Sequence, residues 1–281
     1  MRNVEQLTDV VTFHGEGPVW SLEWGGLRFV DMHAGGVLTL RDDGAVDRIT
    51  VGKVAAMVRP RVDGGYVVAT EKGIALADDL TAAPTREIRL TDRENERMNE
   101  GGAAPDGSLY VGSMAWDGSP EGGRLYRVTP DGGTEVVLDP VTISNGLGFS
   151  PDHTRAYYAD SGPGRLDVFD VDGGVLGGRR PLVTFDDDDG GVPDGLVVDS
   201  QGCLWVAVNG AGQVRRYSPD GELLETVAVP VPGVTACTLG GPSLTDLFVT
   251  TSRESDDTPG AGALYATAVD VPGLPVLPFA G

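Results

Sequence analysis

A strand-like motif of five residues recurs six times along the chain, and this repeat constrains the fold more than any other feature of the sequence. Successive copies start 39, 43, 47, 48 and 43 residues apart. The copies occupy residues 27–31, 66–70, 109–113, 156–160, 204–208 and 247–251. β-Branched and aromatic residues dominate them, as is typical of strands. Six such repeats predict six similar structural units stacked on one another.

Each copy is followed, after a glycine-rich turn, by a second strand-like run. These runs occupy residues 36–40, 73–77, 124–128, 165–169, 213–217 and 263–267. Asp-Gly pairs follow several of the runs, and such pairs beside strand-like segments favour antiparallel hairpins. We therefore predict an all-β fold, a six-bladed β-propeller that forms one domain over residues 1–281. A strand within residues 7–13 is expected to complete the last blade and close the ring.

The charge and the cysteine count limit the classes of partner. The net charge is −21, and Lys53 and Lys72 are the only lysines. Nucleic acid and anionic membranes need clustered cations, so neither is an expected partner. Cys203 and Cys237 are too few for a disulfide framework and are expected to be buried thiols. Because the N-terminal residues contain no long apolar run, we expect a cytoplasmic protein.

The innermost strand of each propeller blade lines the central channel, and here it should precede each copy of the motif. Stepping back ten or eleven residues gives one equivalent position per blade. These positions hold Glu16, Ala56, Asn99, Asn145, Asp194 and Cys237. Carboxylate and amide oxygens converging from four blades predict a divalent-cation site on the axis. The alternative is that the Asn-Gly and Asp-Gly pairs among them are ordinary turn formers.

Other catalytic signatures are weak. The three histidines, His14, His33 and His153, lack the His-Glu-x-x-His spacing of a zinc hydrolase, and no Gly-x-Ser-x-Gly nucleophile motif occurs. His14 precedes Glu16 by two residues, so strand alternation would turn both side chains to one face. An ordinary strand histidine is the alternative interpretation.

Several short segments stand in a specific order and spacing along the chain, although each is weak alone. They include GEGPVW at 15–20, RMNEG at 97–101, GSM at 112–114, ISNGL at 143–147, PDGL at 193–196 and CTLGGP at 237–242. Together they resemble the regucalcin/gluconolactonase family, also called the senescence marker protein family, over nearly the whole chain. The resemblance implies a six-bladed propeller with one divalent metal ion at the axis.

The resemblance also implies which residues form the site. It assigns Glu16, Asn145 and Asp194 as metal ligands, three of the positions found from the repeat. The ion is expected to be Ca²⁺ or Zn²⁺, with Mn²⁺ or Mg²⁺ as alternatives, because oxygen-only sites accept several metals. Asp194 is also the candidate for positioning and deprotonating a water molecule.

Three further residues are implied as substrate contacts. Arg97 and Asn99 match the motif whose Arg and Asn contact the sugar or complete the site. Asp117, three residues after Met114, matches an acidic substrate contact. Glu100 departs from the family pattern, where Asp is usual, which leaves the substrate rather than the reaction class in question.

The function implied is that of a metal-dependent sugar lactonase that hydrolyses an aldonolactone to its aldonic acid. One alternative is a non-catalytic, calcium-binding regulator or scaffold. A second is a different propeller hydrolase, with arylesterase or phosphotriesterase-like activity. The sequence leaves open which sugar lactone is used.

Overall fold

The computed structural model describes residues 2–254 and 256–281. Within them, 24 strands form six antiparallel four-stranded sheets. The innermost strands of neighbouring sheets contact one another around the whole ring, so the sheets are the blades of a six-bladed β-propeller. The described residues also contain two 3-10 helices, Met32–Ala34 and Asp187–Asp189, and no α-helix. No helix in this part of the chain is long and apolar enough to cross a lipid bilayer.

Each blade is built outward from the central channel. The innermost strands are β2 (Gly15–Ser21), β6 (Met57–Pro60), β10 (Glu96–Ala103), β14 (Ser144–Phe149), β18 (Val192–Val198) and β22 (Val234–Gly240). The second strands are β3 (Gly26–Asp31), β7 (Tyr66–Ala69), β11 (Leu109–Ala115), β15 (Arg155–Asp160), β19 (Leu204–Asn209) and β23 (Asp246–Thr251). The third strands are β4 (Gly36–Leu40), β8 (Gly73–Ala77), β12 (Gly123–Val128), β16 (Arg165–Asp172), β20 (Gln213–Tyr217) and β24 (Tyr265–Ala268). The outermost strands are β5 (Val46–Thr50), β9 (Arg86–Arg89), β13 (Thr134–Val141), β17 (Val175–Thr184), β21 (Leu223–Ala228) and β1 (Glu5–Gln6).

The predicted motif and the run that follows it are the second and third strands of each blade. Neighbouring blades cover both faces of these strands, so nearly all their residues are buried and they appear in the sequence as apolar runs. The outermost strands are largely exposed, as in β5 and β9. Their polar side chains explain why the fourth strand of each blade gave no clear signal in the sequence.

The ring is closed by the N-terminal segment, but not by the residues predicted. The outermost strand of the last blade is β1, which pairs antiparallel with β24. Residues 7–13 follow it as an irregular segment rather than a strand. Leu7 and Val11 pack against the last blade while Val10 and Phe13 remain largely exposed. The apolar residues predicted to form a strand therefore cover the edge of the last blade without forming a continuous ladder of β-sheet hydrogen bonds with it.

The C-terminal segment crosses one face of the propeller and ties separate blades together. The Phe279 amide donates to Pro60 O (2.8 Å), and the Ala280 amide donates to Gly107 O (2.9 Å). The Phe279 side chain is fully buried among residues of the second and third blades. Residues 274–277 line a cavity of about 390 Å³ in the channel. This segment therefore lines the channel on one face of the propeller.

Candidate active site

The innermost strands carry polar residues at one shared register. In five blades, the fifth residue of the repeated motif pairs with a residue of the innermost strand. In each of these blades, the residue directly after that partner is polar. The five residues are Glu16, Asn99, Asn145, Asp194 and Thr235. A β-bulge or other irregularity interrupts each strand at or just after this point, and bulges re-aim side chains. The local backbone thus presents polar groups from different blades to the channel.

The sixth blade differs from the sequence prediction. The connection between β22 and β23 is one or two residues longer than the equivalent connection in the other four blades, so Thr235 and not Cys237 occupies the shared position. Cys237 pairs with Val249 and is buried, with its thiol 3.3 Å from Trp205 O. Burial raises the pKa of the Cys237 thiol, so it belongs to the core between blades.

A chain of hydrogen bonds fixes the orientation of the two amides. Arg97 Nη1 donates to Asn99 Oδ1 (2.7 Å), which turns Asn99 Nδ2 toward Asn145 Oδ1 at 3.2 Å. On the far side, Asn145 Nδ2 donates to Ser161 Oγ (2.8 Å), and Ser161 donates to Pro193 O (2.6 Å). Each amide oxygen accepts one hydrogen bond, a short one from the Arg97 cation at Asn99 Oδ1 and a longer one from a neutral amide at Asn145 Oδ1. Asn145 Oδ1 is therefore the less strongly held oxygen and the better suited of the two to bind a cation.

Glu16 and Asp194 supply two buried carboxylates at the same level. Glu16 Oε2 accepts from the Gly17 amide (3.0 Å), and Asp194 Oδ2 accepts from Asn209 Nδ2 (2.9 Å). Asp194 Oδ1 is buried without a hydrogen-bond partner. Burial first, and then the neighbouring carboxylates of Asp194 and Glu100, raise the pKa of Glu16 well above its usual range. Burial also raises the pKa of Asp194 to about 8, against the hydrogen bond from Asn209, which lowers it.

Glu100 and Arg59 belong to the same buried group; the sequence marked Glu100 only as a departure from the family pattern and gave Arg59 no role in the site. Arg59 Nη2 lies 3.4 Å from Glu100 Oε1 and donates to Gly101 O (2.6 Å). Glu100 Oε2 is buried without a partner, and burial raises the pKa of Glu100 against the favourable effect of Arg59. Asn99 and Glu100 are adjacent in the bulge of β10, which brings both residues to the channel. No sequence signal marks Arg59, because it lies in the one blade without an oxygen ligand at the shared register.

The charges of this group favour a divalent cation. Three buried carboxylates, of Glu16, Glu100 and Asp194, are accompanied by the guanidinium groups of Arg59 and Arg97. Buried carboxylates are costly unless they are paired or coordinate a metal, and Asp194 Oδ1 and Glu100 Oε2 have no partner. Hard divalent cations prefer carboxylate and amide oxygens. The donor set of Glu16, Asn145 and Asp194 therefore fits such an ion.

An aromatic side chain with cations around it forms one wall of the channel mouth. The Arg97 guanidinium carbon lies 5.5 Å, and Lys53 Nζ 4.7 Å, from the centre of the Trp116 ring. The His33 ring lies 6.1 Å from the same ring. Lys53 also pairs with Glu71 at 2.9 Å. Arg97 thus links the hydrogen-bonded amides to a polar and aromatic entrance suited to a hydroxylated ligand.

Asp117 lies outside the buried group. Its side chain is exposed, and Oδ1 accepts from the Ser119 amide (3.0 Å) and hydroxyl. The hydrogen bond from the Ser119 hydroxyl, followed by one from Asn95, lowers the pKa of Asp117 to about 2. The structure therefore brings Arg97 and Asn99 together with the buried carboxylates but leaves Asp117 in an exposed turn beside Trp116.

Two histidines and a glutamate cluster at the mouth, next to Glu16. His14 Nε2 lies 3.7 Å from Glu16 Oε1, so the two side chains share a face, as their spacing predicts. His14, His33 and Glu254 each offer a ligand atom, and these atoms lie within 4.8 Å of one another. Burial lowers the pKa of His14, while hydrogen bonds from His14 and His33 hold the pKa of Glu254 well below its usual range. The sequence did not reveal this cluster because its members come from three separate loops.

Family comparison agrees with the resemblance seen in the sequence. Residues 14–253 match the family model described as the SMP-30/gluconolactonase/LRE-like region. The chain belongs to this family. Glu16, Asn145 and Asp194, as well as the relay from Arg97 to Asn99, all lie within the matched region.

Relatives in the SMP-30/gluconolactonase family are similar over nearly their full length. The chain is 36% identical over 276 residues to the 6-deoxy-6-sulfogluconolactonase of Pseudomonas putida, with 95% of each chain covered. It is 33% identical over 284 residues to the regucalcin of Danio rerio, again with 95% of each chain covered. A crystal structure of a calcium-binding protein, regucalcin, from Agrobacterium tumefaciens has a TM-score of 0.93 and 25% identity, covering 99% of this chain and 97% of that one.

Proposed function

We propose that this protein is a metal-dependent sugar lactonase that hydrolyses an aldonolactone of the gluconolactone type to its aldonic acid. The observation that carries the proposal is the buried Asp194 carboxylate, whose Oδ1 has no partner, beside Glu16 and the Arg97–Asn99–Asn145 relay. The names of the relatives support the same reaction class. A cytoplasmic location remains a prediction from the sequence.

Glu16, Asn145 and Asp194 are the proposed ligands of one divalent ion. Ca²⁺ and Zn²⁺ are the first candidates, with Mn²⁺ and Mg²⁺ as alternatives; the calcium-binding regucalcin structure supports Ca²⁺. When bound, such an ion supplies Lewis-acid polarisation of a carbonyl oxygen and makes a nearby water more acidic. Ser161 fixes the Asn145 amide nitrogen, which leaves its oxygen to bind such an ion, and Asn209 holds the Asp194 carboxylate.

Asp194 is the proposed general base. In hydrolysis a water oxygen bonds to the lactone carbonyl carbon while its proton passes to a base, and the ring C–O bond then breaks. Asp194 Oδ1 can accept that proton because it has no protein partner, and it can return the proton to the departing ring oxygen, which becomes a hydroxyl group.

Arg97 and Asn99 are the proposed substrate-orienting residues. Arg97 lies at the boundary between the buried amides and the Trp116 wall, so its guanidinium can donate to ring hydroxyls. Holding the ring against the base lowers the entropic cost of reaching the transition state. Asp117 is proposed as an outer substrate contact on the basis of the family motif alone, since its carboxylate bonds within its own turn.

A panel of aldonolactones, assayed by acid release, tests the proposal. Metal-stripped protein is assayed alone and with Ca²⁺, Zn²⁺, Mn²⁺ or Mg²⁺. The panel includes 6-deoxy-6-sulfogluconolactone, the substrate named for one relative, because Lys53 and Arg97 stand at the mouth. We expect metal-restored turnover that is lost in Asp194→Asn and kept in the exposed control Asp42→Asn. Metal binding without turnover of any lactone would refute the lactonase and favour the calcium-binding regulator.

A further inference from the structure

The histidine–glutamate cluster at the mouth is assembled by three loops with fixed backbones. His14 precedes β2, and its amide donates to Asp31 Oδ1 (3.2 Å) while its carbonyl accepts from the Met32 amide (2.8 Å). His33 lies in the 3-10 helix Met32–Ala34, which ends at Gly35 in the left-handed region (φ 58°). Glu254 follows β23, where the Arg253 amide donates to Phe13 O (2.9 Å). The three side chains therefore meet through tertiary structure and not through a local motif.

His14 Nδ1 faces both a hydroxyl and a carboxylate of the cluster. Ser252 Oγ accepts from the Glu254 amide (3.0 Å) and lies 2.8 Å from His14 Nδ1. The same Nδ1 lies 3.3 Å from Glu254 Oε2, and a metal ion bound there would replace its ring proton. The ring proton would then sit on Nε2, which faces Glu16 Oε1 at 3.7 Å. Histidine ligands of metals commonly have a carboxylate or carbonyl next to the other ring nitrogen.

We propose that His14, His33 and Glu254 form a second divalent-metal site, selective for a borderline metal such as Zn²⁺ and separate from the axial oxygen site. Zinc at about 2.0–2.2 Å from nitrogen and oxygen ligands in a tetrahedral site places neighbouring ligand atoms roughly 3.4 Å apart. The observed separations are 3.3 Å from His14 Nδ1 to Glu254 Oε2 and 3.5 Å from His33 Nε2 to Glu254 Oε1. Small rotations of the half-exposed Glu254 side chain bring one oxygen to both imidazoles.

The two sites differ in ligand chemistry, which sets their metal preferences apart. Two imidazoles and one carboxylate suit Zn²⁺, and a fourth coordination position stays open to solvent. The axial donors are oxygens, which also suit Ca²⁺. Solvent reaches the mouth cluster through the Glu254 side chain, which is half-exposed. The side chains of His14 and His33 are mostly buried. An ion can therefore enter it without passing the axial site.

Zinc titration in the presence of saturating Ca²⁺ tests the second site. Calorimetry would give the stoichiometry, and Co²⁺ in place of Zn²⁺ would report nitrogen ligands by its visible absorption. We expect one equivalent of Zn²⁺ to bind beside Ca²⁺, with affinity at least about 10-fold weaker in His33→Ala and in Glu254→Gln. His153→Ala is the matched control, because His153 is an exposed histidine outside the cluster, and its affinity should equal that of the wild type.

The outcomes separate this proposal from the axial metal site. Zinc binding that persists in Asp194→Asn but weakens in His33→Ala supports the mouth site, whatever the fate of lactone turnover. Absence of Zn²⁺ binding beside Ca²⁺ would overturn it. So would Zn²⁺ binding that is unaffected by both cluster variants, or that disappears in Asp194→Asn alone. Circular dichroism of each variant checks that it is folded, and Glu254→Gln, on a half-exposed side chain, provides a mild change should His33→Ala unfold.

Discussion

Replacing Asp194 with asparagine should stabilise the metal-free protein while removing its function. The side chain is 6% exposed, and its pKa rises from 3.8 to about 8. One pKa unit corresponds to about 1.4 kcal/mol, so the ionised carboxylate costs on the order of 5 kcal/mol above pH 8. Asparagine has nearly the same shape and still offers an oxygen to Asn209. We therefore expect Asp194→Asn to unfold with a free energy at least about 2 kcal/mol higher at pH 8.

The difference should depend on pH in one direction. Between pH 4 and 8 the unfolded chain has lost the proton of Asp194, whereas the folded chain retains it. The folded state then binds more protons, so wild-type stability falls as pH rises. Asp194→Asn lacks this effect. The gap between the two proteins should therefore be near zero at pH 4 and grow up to about pH 8.

Urea unfolding in a chelator between pH 4 and 8.5 measures this gap. Saturating the wild type with metal at 100 times its Kd should add about 3 kcal/mol, while the variant should gain much less. Asp42→Asn, in an exposed turn, is the control and should stay within about 0.5 kcal/mol of wild type. The reasoning would be refuted if metal-free Asp194→Asn were less stable than the metal-free wild type at pH 8. It would also be refuted if the difference in unfolding free energy between them did not change with pH.

Two further variants test the frame around the site. Ser161→Ala removes the hydrogen bond that holds the Asn145 amide (2.8 Å), so calorimetry should show metal affinity about 10–100-fold weaker; an unchanged Kd would mean that the amide is oriented by other contacts. Gly112→Ala would place its Cβ 2.1 Å from Ser144 Oγ, and thermal unfolding should show a loss of about 1–3 kcal/mol. Gly177→Ala is the matched control, since no atom lies within 4 Å of its Cβ position, and an equal loss in both would contradict the packing argument.

The blade structure could be predicted from the sequence because its signal is local. Second and third strands are sandwiched between blades, so their apolar runs repeat with the fold, and β4, β8 and β20 have the predicted bounds. The closing strand could not be placed, because residues 7–13 are apolar for a different reason. They cover the edge of the last blade, and only Glu5–Gln6 forms ladder pairs with it.

The site could be predicted only where the repeat reaches it. Glu16, Asn145 and Asp194 lie at one register, as the spacing suggests, but the longer connection between β22 and β23 moves Cys237 away from it. One or two additional residues in a turn carry no sequence marker, so counting back from the motif fails there. The roles of Glu16, Asn145 and Asp194 as metal ligands stay predictions, which the metal titrations test.

The partners of these residues could not be predicted, because they come from other strands. Arg59 reaches Glu100 from β6, and Asn209 reaches Asp194 from β19. Neither pair has a characteristic spacing in the sequence. Tertiary structure alone shows that Glu100 joins the buried carboxylates, so the departure from the family pattern at this position lies inside the charged centre.

The propeller can tolerate this destabilised centre because its stability is spread around the ring. Each blade interface buries its own apolar cluster; Trp205, Tyr157 and Phe29, in three different blades, are all essentially inaccessible to solvent. Burial of one such side chain contributes about 1.5–3 kcal/mol, so two or three offset the cost of Asp194. Ring closure through β1 and the C-terminal segment makes these interfaces cooperative. Metal-free protein should therefore remain folded at pH 8, the pH near which Asp194 begins to lose its proton and to offer a negative charge to a cation.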